Sequence, residues 1–308
     1  MNPVLKHFAV VGNPIEHSRS PIIHQAFAKQ FGIDLVYDKI KAPLDGFEST
    51  VEHFFDNEGC GLNVTVPFKE KAWQLAQNHL SARARLAGAV NTLWQVNGLI
   101  HGCNTDGVGL VSDLQRLGIE LNGARILMVG AGGAARGVMQ PLLNAGCTHL
   151  HIVNRTEARA QQLASLCLSH LATQTEQVTT VNTTNRLPNA ARFEASDKTP
   201  LITAGSLNDA RLGAPWSLVI NASASGLSNQ APDLPSGLYG PGAWAYDMMY
   251  GAQPTAFMLQ AQQSGATKQA DGLGMLVGQA AESFAIWHEV KPNVLPVIEL
   301  LRSAFKTS

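Results

Sequence analysis

Gly130-Ala131-Gly132-Gly133-Ala134 follows the apolar run Ile126-Leu127-Met128-Val129 without a break. Glycines at such a point let the backbone turn tightly and approach a pyrophosphate, whose charge the N-terminus of a following helix attracts. Ala135 takes the third glycine position of G-x-G-x-x-G, where a small residue suffices. A tight turn without a ligand would use the same residues, so the turn alone leaves both readings open. The next apolar stretch, over 148–153, runs into Asn154-Arg155-Thr156-Glu157-Ala158-Arg159. An NAD site places a carboxylate in this region for the ribose 2′-hydroxyl. Here two arginines stand four residues apart. Guanidinium groups grip a 2′-phosphate bidentately, and they are ill-placed on a first helical turn unless an anion is present. Arg155 and Arg159 therefore favour NADP over NAD, with ordinary surface charge as the alternative.

Outside this unit, three further places carry polar residues whose position calls for a reading. Ser18 and Ser20 stand one residue apart in a loop after a first strand. Ser20 before Pro21 reads as a helix N-cap, whereas Ser18 is not needed for capping. Lys69 follows Pro67 in what reads as a first helical turn, an unfavourable place for a cation unless something needs it. A solvated face is the other reading. Asp106, after Asn104-Thr105, reads as the N-cap of a further helix.

The elements that must position these residues follow from the hydrophobic pattern. Strands are expected over 8–11, 35–40 and 61–66, with helices over 20–32 and 46–55 between them, a β-α-β-α rhythm that predicts a parallel sheet. Asn97-Gly98 predicts a hairpin whose returning strand covers 99–103. A helix over 107–117 leads into the glycine unit, whose strands and helices run over 126–129, 134–146, 148–153 and 159–168. Residues 169–200 are rich in Thr, Asn, Gln and Ala and read as a long polar surface insertion. Strands over 216–220 and 243–248 and helices over 255–264, about 275–284 and 293–305 complete the chain.

At 308 residues the chain is long enough for two domains. A net charge of −1 and the lack of a basic run speak against nucleic acid. No apolar stretch is long enough to span a bilayer, and the N-terminus lacks a signal-peptide layout. Four scattered cysteines suggest a reducing cytoplasm. Ten histidines without H-x-x-x-H or H-E-x-x-H spacing make a metal site unexpected.

Taken in order, G-N-P-I-E-H-S-R-S-P, N-V-T-V-P-F-K, G-A-V-N-T, N-T-D-G, G-A-G-G-A-A-R-G, N-R-T-E-A-R, I-N-A-S-A-S-G, Y-D-M-M-Y and D-G-L-G-M-L-V-G-Q-A resemble the shikimate dehydrogenase family over nearly the whole chain. The resemblance implies an α/β protein of two domains with a cleft between them. Residues 1–105 plus 273–308 would form a mainly parallel substrate domain, and 106–272 a Rossmann-type domain binding NADP(H). It implies that Ser18 and Ser20 hold a substrate carboxylate with Thr65 nearby, and that Lys69, Asn91, Asp106 and Gln279 hold ring hydroxyls. Tyr250 would lie close to the substrate. Gly130, Ala131, Gly132, Gly133 and Ala134 would cradle the pyrophosphate. Asn154, Arg155, Thr156 and Arg159 would take the 2′-phosphate. Ser223 belongs to the cofactor side, and Met248 and Gly272 would line the nicotinamide.

The implied reaction is reduction of 3-dehydroshikimate to shikimate by NADPH. Lys69 would give the proton and take it back in reverse. A lysine is ordinarily a good acid and a poor base near neutrality, so Asp106 would orient Lys69 and the pair would also stabilise developing alkoxide charge. The expected partner is a small molecule, and the chain is expected to be a monomer or homodimer. A quinate/shikimate dehydrogenase with relaxed cofactor use, a methylene-tetrahydrofolate dehydrogenase and a non-catalytic NADP-binding sensor are the other readings. The arginines and the Ser18/Ser20 pair weigh against the first. The H-S-R-S-P and N-T-D-G segments weigh against the second. The Lys69 and Asp106 pair weighs against the third.

Overall fold

The computed structural model describes residues 5–184, 200–223 and 230–306. Two sheets carry the chain. The first is built from β1 (Lys6–Gly12), β2 (Leu35–Lys41), β3 (Gly59–Val64), β4 (Thr92–Val96) and β5 (Leu99–Cys103), in the order β2-β1-β3-β4-β5. β2, β1 and β3 are parallel; β4 runs antiparallel to both β3 and β5. Helix α1 (Ser20–Phe31) follows β1, α2 (Phe47–Asp56) follows β2, and α3 (Lys69–Leu75) and α4 (Ala82–Ala87) follow β3. The hairpin turns where Asn97-Gly98 requires it, with φ of 52° and 78°.

Helix α5 (Asp106–Arg116) leads to the second sheet. This contains β6 (Arg125–Val129), β7 (His149–Val153), β8 (Leu201–Gly205), β9 (Trp216–Asn221), β10 (Tyr239–Asp247) and β11 (Lys268–Asp271), all parallel, in the order β11-β10-β9-β6-β7-β8. That order is the doubly wound dinucleotide-binding arrangement, with β6 at its centre. Ile126, Leu127, Met128 and Val129 are fully buried, as a central parallel strand covered on both faces must be. Helix α6 (Gly133–Asn144) follows β6, α7 (Glu157–Thr184) follows β7, and α8 (Ala256–Gln263) precedes β11. The chain ends with α9 (Leu273–His288) and α10 (Leu295–Lys306).

α9 joins two apolar clusters. Met275 packs with Leu110, Leu114, Ile126 and Val138 around the second sheet. Val277, Ala280 and Phe284 pack with Ile23, Phe27, Val297 and Leu301 of α1 and α10. α5 crosses α9 at glycines: a Cβ on Gly109 would stand 2.5 Å from the Gln279 nitrogen and 2.8 Å from the Met275 oxygen.

The structure corrects several expectations. Ser20 is the first residue of α1, not its cap; Arg19 occupies the cap position without a side-chain bond, and the Ser18 hydroxyl takes the Ser20 N–H at 3.3 Å. Asp106 is likewise inside α5, with Thr105 at the cap; Asn104 Oδ1 accepts the Asp106 N–H at 3.1 Å. The surface insertion expected from residue 169 onwards begins as helix, because α7 runs on to Thr184. The rest of it, residues 185–199, lies outside the described residues. The edge strands β8 and β11 escaped the hydrophobic pattern.

Candidate active site

Most of the candidate residues sit at one edge of the sheets, where parallel strands end and doubly wound folds bind ligands. Ser18 and Ser20 follow β1, Thr65 and Lys69 follow β3, and Asp106 follows β5, while Asn91 precedes the antiparallel β4. The glycine turn follows β6, Arg155 follows β7, Ser223 follows β9, Met248 and Tyr250 follow β10, and Gly272 follows β11.

The serine loop is tied to its neighbours. Lys41 Nζ donates to Glu16 Oε1 at 2.8 Å, Lys39 Nζ to the Glu16 carbonyl at 2.6 Å, and the Asn13 N–H to the Val66 carbonyl at 3.1 Å. The Lys41 ammonium is the main reason the exposed Glu16 carboxyl titrates at about 2. Within the loop the Ser18 hydroxyl donates to Ser20 Oγ at 3.2 Å. Thr65 is fixed by its N–H to the Val11 carbonyl at 2.9 Å.

Lys69, Asn91, Asp106 and Gln279 come together. Lys69 Nζ donates to Asp106 Oδ2 at 2.6 Å, and Asn91 Nδ2 donates to Asp106 Oδ1 at 2.8 Å, so both carboxylate oxygens are engaged. The side chains of Lys69 and Asp106 are 29% and 13% exposed, open enough for a ligand yet shielded enough for charge to matter. Asn91 Nδ2 also reaches Thr105 Oγ1 at 2.8 Å and Gln279 Oε1 at 3.2 Å, and Asn91 Oδ1 accepts the Thr105 N–H at 3.0 Å. The cluster can hold hydroxyl groups and move a proton at the lysine ammonium.

Residues that sequence reasoning did not single out hold this cluster from behind. Asn63 Nδ2 donates to the Asn91 carbonyl at 3.0 Å and to Ser283 Oγ at 3.1 Å, and Asn63 Oδ1 accepts the Tyr37 hydroxyl at 2.6 Å. Ser283 Oγ lies 2.8 Å from Thr92 Oγ1. The Ser20 side chain stands beside the Tyr37 hydroxyl, so the network links the serine loop to the lysine pair. Burial pushes the Tyr37 phenol well above its ordinary range and keeps it neutral. The available signals were a lone asparagine in the apolar strand C-G-L-N-V and a serine four residues after Gln279 on an apolar helix. Tyr250 packs against the α1–α9–α10 cluster, with its ring 6.3 Å from Phe305. Burial raises its phenol, and the Arg19 charge partly opposes that.

The second sheet presents an open turn. Gly130 has φ 110°, a conformation that favours glycine, and its ideal Cβ would meet the Ser223 nitrogen at 2.9 Å. Gly132 and Gly133 have no atom within 4 Å of an added Cβ, leaving room for a ligand's phosphates at the start of α6. Ala131 is half-buried and Ala134 exposed. Ser223 Oγ donates to Asn221 Oδ1 at 2.7 Å. Ala224, Ser225 and Gly226 of that loop lie outside the described residues. Asn154 Nδ2 donates to the Thr156 carbonyl at 2.9 Å, shaping the turn that exposes Arg155 and Arg159. Among the described residues neither arginine is in an ion pair. Two unpaired guanidinium groups at the positive end of a helix fit a phosphate.

The chain is 56% identical over 301 residues to the NADP(+) shikimate dehydrogenase of Bordetella petrii, covering 97% of this chain and 96% of that one. The chain belongs to the shikimate dehydrogenase family. Residues 10–93 match the shikimate dehydrogenase substrate binding domain, 113–211 the shikimate/quinate 5-dehydrogenase family and 272–302 the shikimate 5′-dehydrogenase C-terminal domain. The Bordetella avium NADP(+) enzyme is 55% identical over 301 residues, covering 98% of this chain and 96% of that one. Among solved structures, shikimate 5-dehydrogenase from Thermus thermophilus, in complex with NADP(H) and shikimate, superposes with a TM-score of 0.78 at 30% identity, covering 97% of this chain and all of that one (100%). An Ael1 enzyme from Pseudomonas putida superposes with a TM-score of 0.82 at 37% identity, covering 96% of this chain and 98% of that one. The shikimate dehydrogenase fold therefore extends over both sheets. Among the described residues no helix is long and apolar enough to cross a membrane, and no group of His, Cys, Asp and Glu is placed to hold a metal.

Proposed function

We propose that the Lys69–Asp106 pair carries the proton step of a reversible, NADPH-dependent reduction of 3-dehydroshikimate to shikimate. The chain is an NADP-dependent oxidoreductase acting on a CH–OH group, as its family membership establishes, and the reaction serves chorismate and aromatic amino-acid biosynthesis. The hydride comes from bound NADPH, since no side chain can supply one. The observation that carries the residue assignment is the 2.6 Å contact of Lys69 Nζ with Asp106 Oδ2, at the edge of the sheet where substrate must sit.

In reduction, negative charge develops on the carbonyl oxygen. Lys69 stabilises that charge and delivers its proton, and Asp106 holds the ammonium in place. Asn91 orients Asp106 through its other oxygen. Ser18 and Ser20 donate to the substrate carboxylate with Thr65 beside them, while Asn91 and Gln279 hold ring hydroxyls and Tyr250 closes the substrate side. Gly130 to Ala134 receive the pyrophosphate, Asn154, Arg155, Thr156 and Arg159 the 2′-phosphate, and Ser223, Met248 and Gly272 the nicotinamide side. Residues 1–105 with 273–308 act as the substrate domain and 106–272 as the cofactor domain, with the reaction in the cleft between them. The four cysteines are free, which supports a reducing, cytoplasmic setting. The partners are small molecules, and the enzyme acts as a monomer or homodimer.

Nicotinamide absorbance, followed with shikimate or quinate and with NADP+ or NAD+, tests this reading. Turnover is expected with shikimate and NADP+ and to be at least tenfold slower with the other combinations. Comparable rates with quinate or NAD+ would favour a relaxed quinate/shikimate enzyme.

A further inference from the structure

Arg302 of α10 reaches across to the end of the second sheet. Its Nη2 donates to Asp271 Oδ1 at 2.6 Å and its Nη1 to Asp271 Oδ2 at 2.9 Å, the two-pronged geometry of a guanidinium on a carboxylate. Nη1 also reaches the Gly251 carbonyl at 3.3 Å. Asp271 closes β11, and its side chain is only 8% exposed. Its Oδ1 also accepts the N–H of Leu273, the first residue of α9.

Between Asp271 and Leu273 stands Gly272. A Cβ there would collide with the Met248 carbonyl, and its N–H donates to the Met249 carbonyl at 2.9 Å. One arginine thus ties down the 248–251 loop and the 271–273 turn together. It does so from a helix packed on α1 and α9, outside the sheet it braces. Lysine could supply the charge here but not the fork.

We propose that Arg302 is a positioning residue for the nicotinamide end of the cofactor. It holds Met248 and Gly272 in register without touching the cofactor itself. This rests on the reading above that Met248 and Gly272 line that end. A misalignment there degrades hydride transfer, while the 2′-phosphate grip at Arg155 and Arg159, on the far side of β6, is untouched.

The test compares the wild-type enzyme with Arg302→Met and Arg302→Lys. Calorimetric titration gives Kd for NADP+ and for adenosine 2′,5′-bisphosphate, which has the 2′-phosphate but no nicotinamide, alongside kcat for shikimate oxidation. Arg302→Met is expected to weaken NADP+ about tenfold and to lower kcat, with adenosine 2′,5′-bisphosphate bound as in the wild type. Arg302→Lys should fall between. Equal weakening of both ligands would mean general loosening of the domain and would overturn the proposal, as would no change in either. If the methionine variant does not fold, the lysine variant decides alone: it must bind NADP+ less well relative to adenosine 2′,5′-bisphosphate. A wild-type protein that binds both ligands but oxidises no shikimate would remove the functional reading and leave the binding comparison standing. A wild-type protein that binds neither would remove both.

Discussion

Lys69 and Asp106 meet at hydrogen-bond distance although 37 residues separate them, and their roles are separable. Lys69→Ala removes the proton donor and should lower kcat by about two to four orders of magnitude, with Kd for NADP+ unchanged. Wild-type turnover in that variant would sink the assignment. Asp106→Asn keeps the shape but loses the charge that holds Lys69, so its loss of kcat should be smaller, about tenfold. The arginines act on a different quantity. Arg155→Ala combined with Arg159→Ala should lower kcat/KM with NADP+ by about a hundredfold and leave the value with NAD+ unchanged. A parallel fall with NAD+ would show that they serve the fold rather than the phosphate.

Helices set the spacing within which those residues work. α5 and α9 approach closely because Gly109 has no side chain at their crossing. Gly109→Ala should cost about 1–3 kcal/mol by overpacking and displace Gln279, so a melt and the KM for shikimate should both shift. If stability falls and KM stays constant, α9 does not transmit the strain to Gln279. α1 and α9 carry a pH response. His24 is fully buried, its ring stacked on Tyr37 at 4.4 Å, and burial pulls its pKa from 6.5 to about 3. His288, against Phe284 at 4.3 Å, is pulled to about 4 for the same reason. The unfolded chain accepts these protons near pH 6.5, and the folded chain refuses them until pH 4 or 3. Protonation in that window favours unfolding, so the stability these two rings contribute is complete above 6.5 and is lost as pH falls towards 3. His24→Phe should flatten the dependence of Tm on pH below 6.5; a slope equal to the wild type's would refute the attribution.

Across the whole molecule, α9 packs on the second sheet through Met275 and on α1 and α10 through Val277, Ala280 and Phe284, so what stabilises the second sheet is felt by the α1–α10 layer. A ligand that binds only the folded state adds about 2.7 kcal/mol at a hundred times its Kd. NADP+ should therefore raise Tm measurably in differential scanning calorimetry, and NAD+ at the same concentration should raise it far less. Equal shifts from both would remove the selectivity assigned to Arg155 and Arg159.

Local patterns carried much of this. The run 126–129, the glycines after it, the Asn97-Gly98 turn and the two arginines each depend on neighbours within a few residues, so their placement was legible in the sequence. β8 and β11 were not. They are edge strands with part of each exposed, and β11, Lys-Gln-Ala-Asp, has no apolar run of its own; each is a strand because a neighbour offers its backbone. Helix starts at Ser20 and Asp106 differ by one residue from the pattern, because Arg19 and Thr105 take the cap positions while Ser18 and Asn104 accept the N–H of the first helical residue. The network behind the site was hidden most completely. Tyr37 and Asn63 are 26 residues apart, Asn63 and Ser283 are 220 apart, and Arg302 meets Asp271 from another helix. The order of amino acids sets which polar groups exist. Only folding decides which of them are buried together, since a buried donor or acceptor must find its partner wherever the chain has brought one.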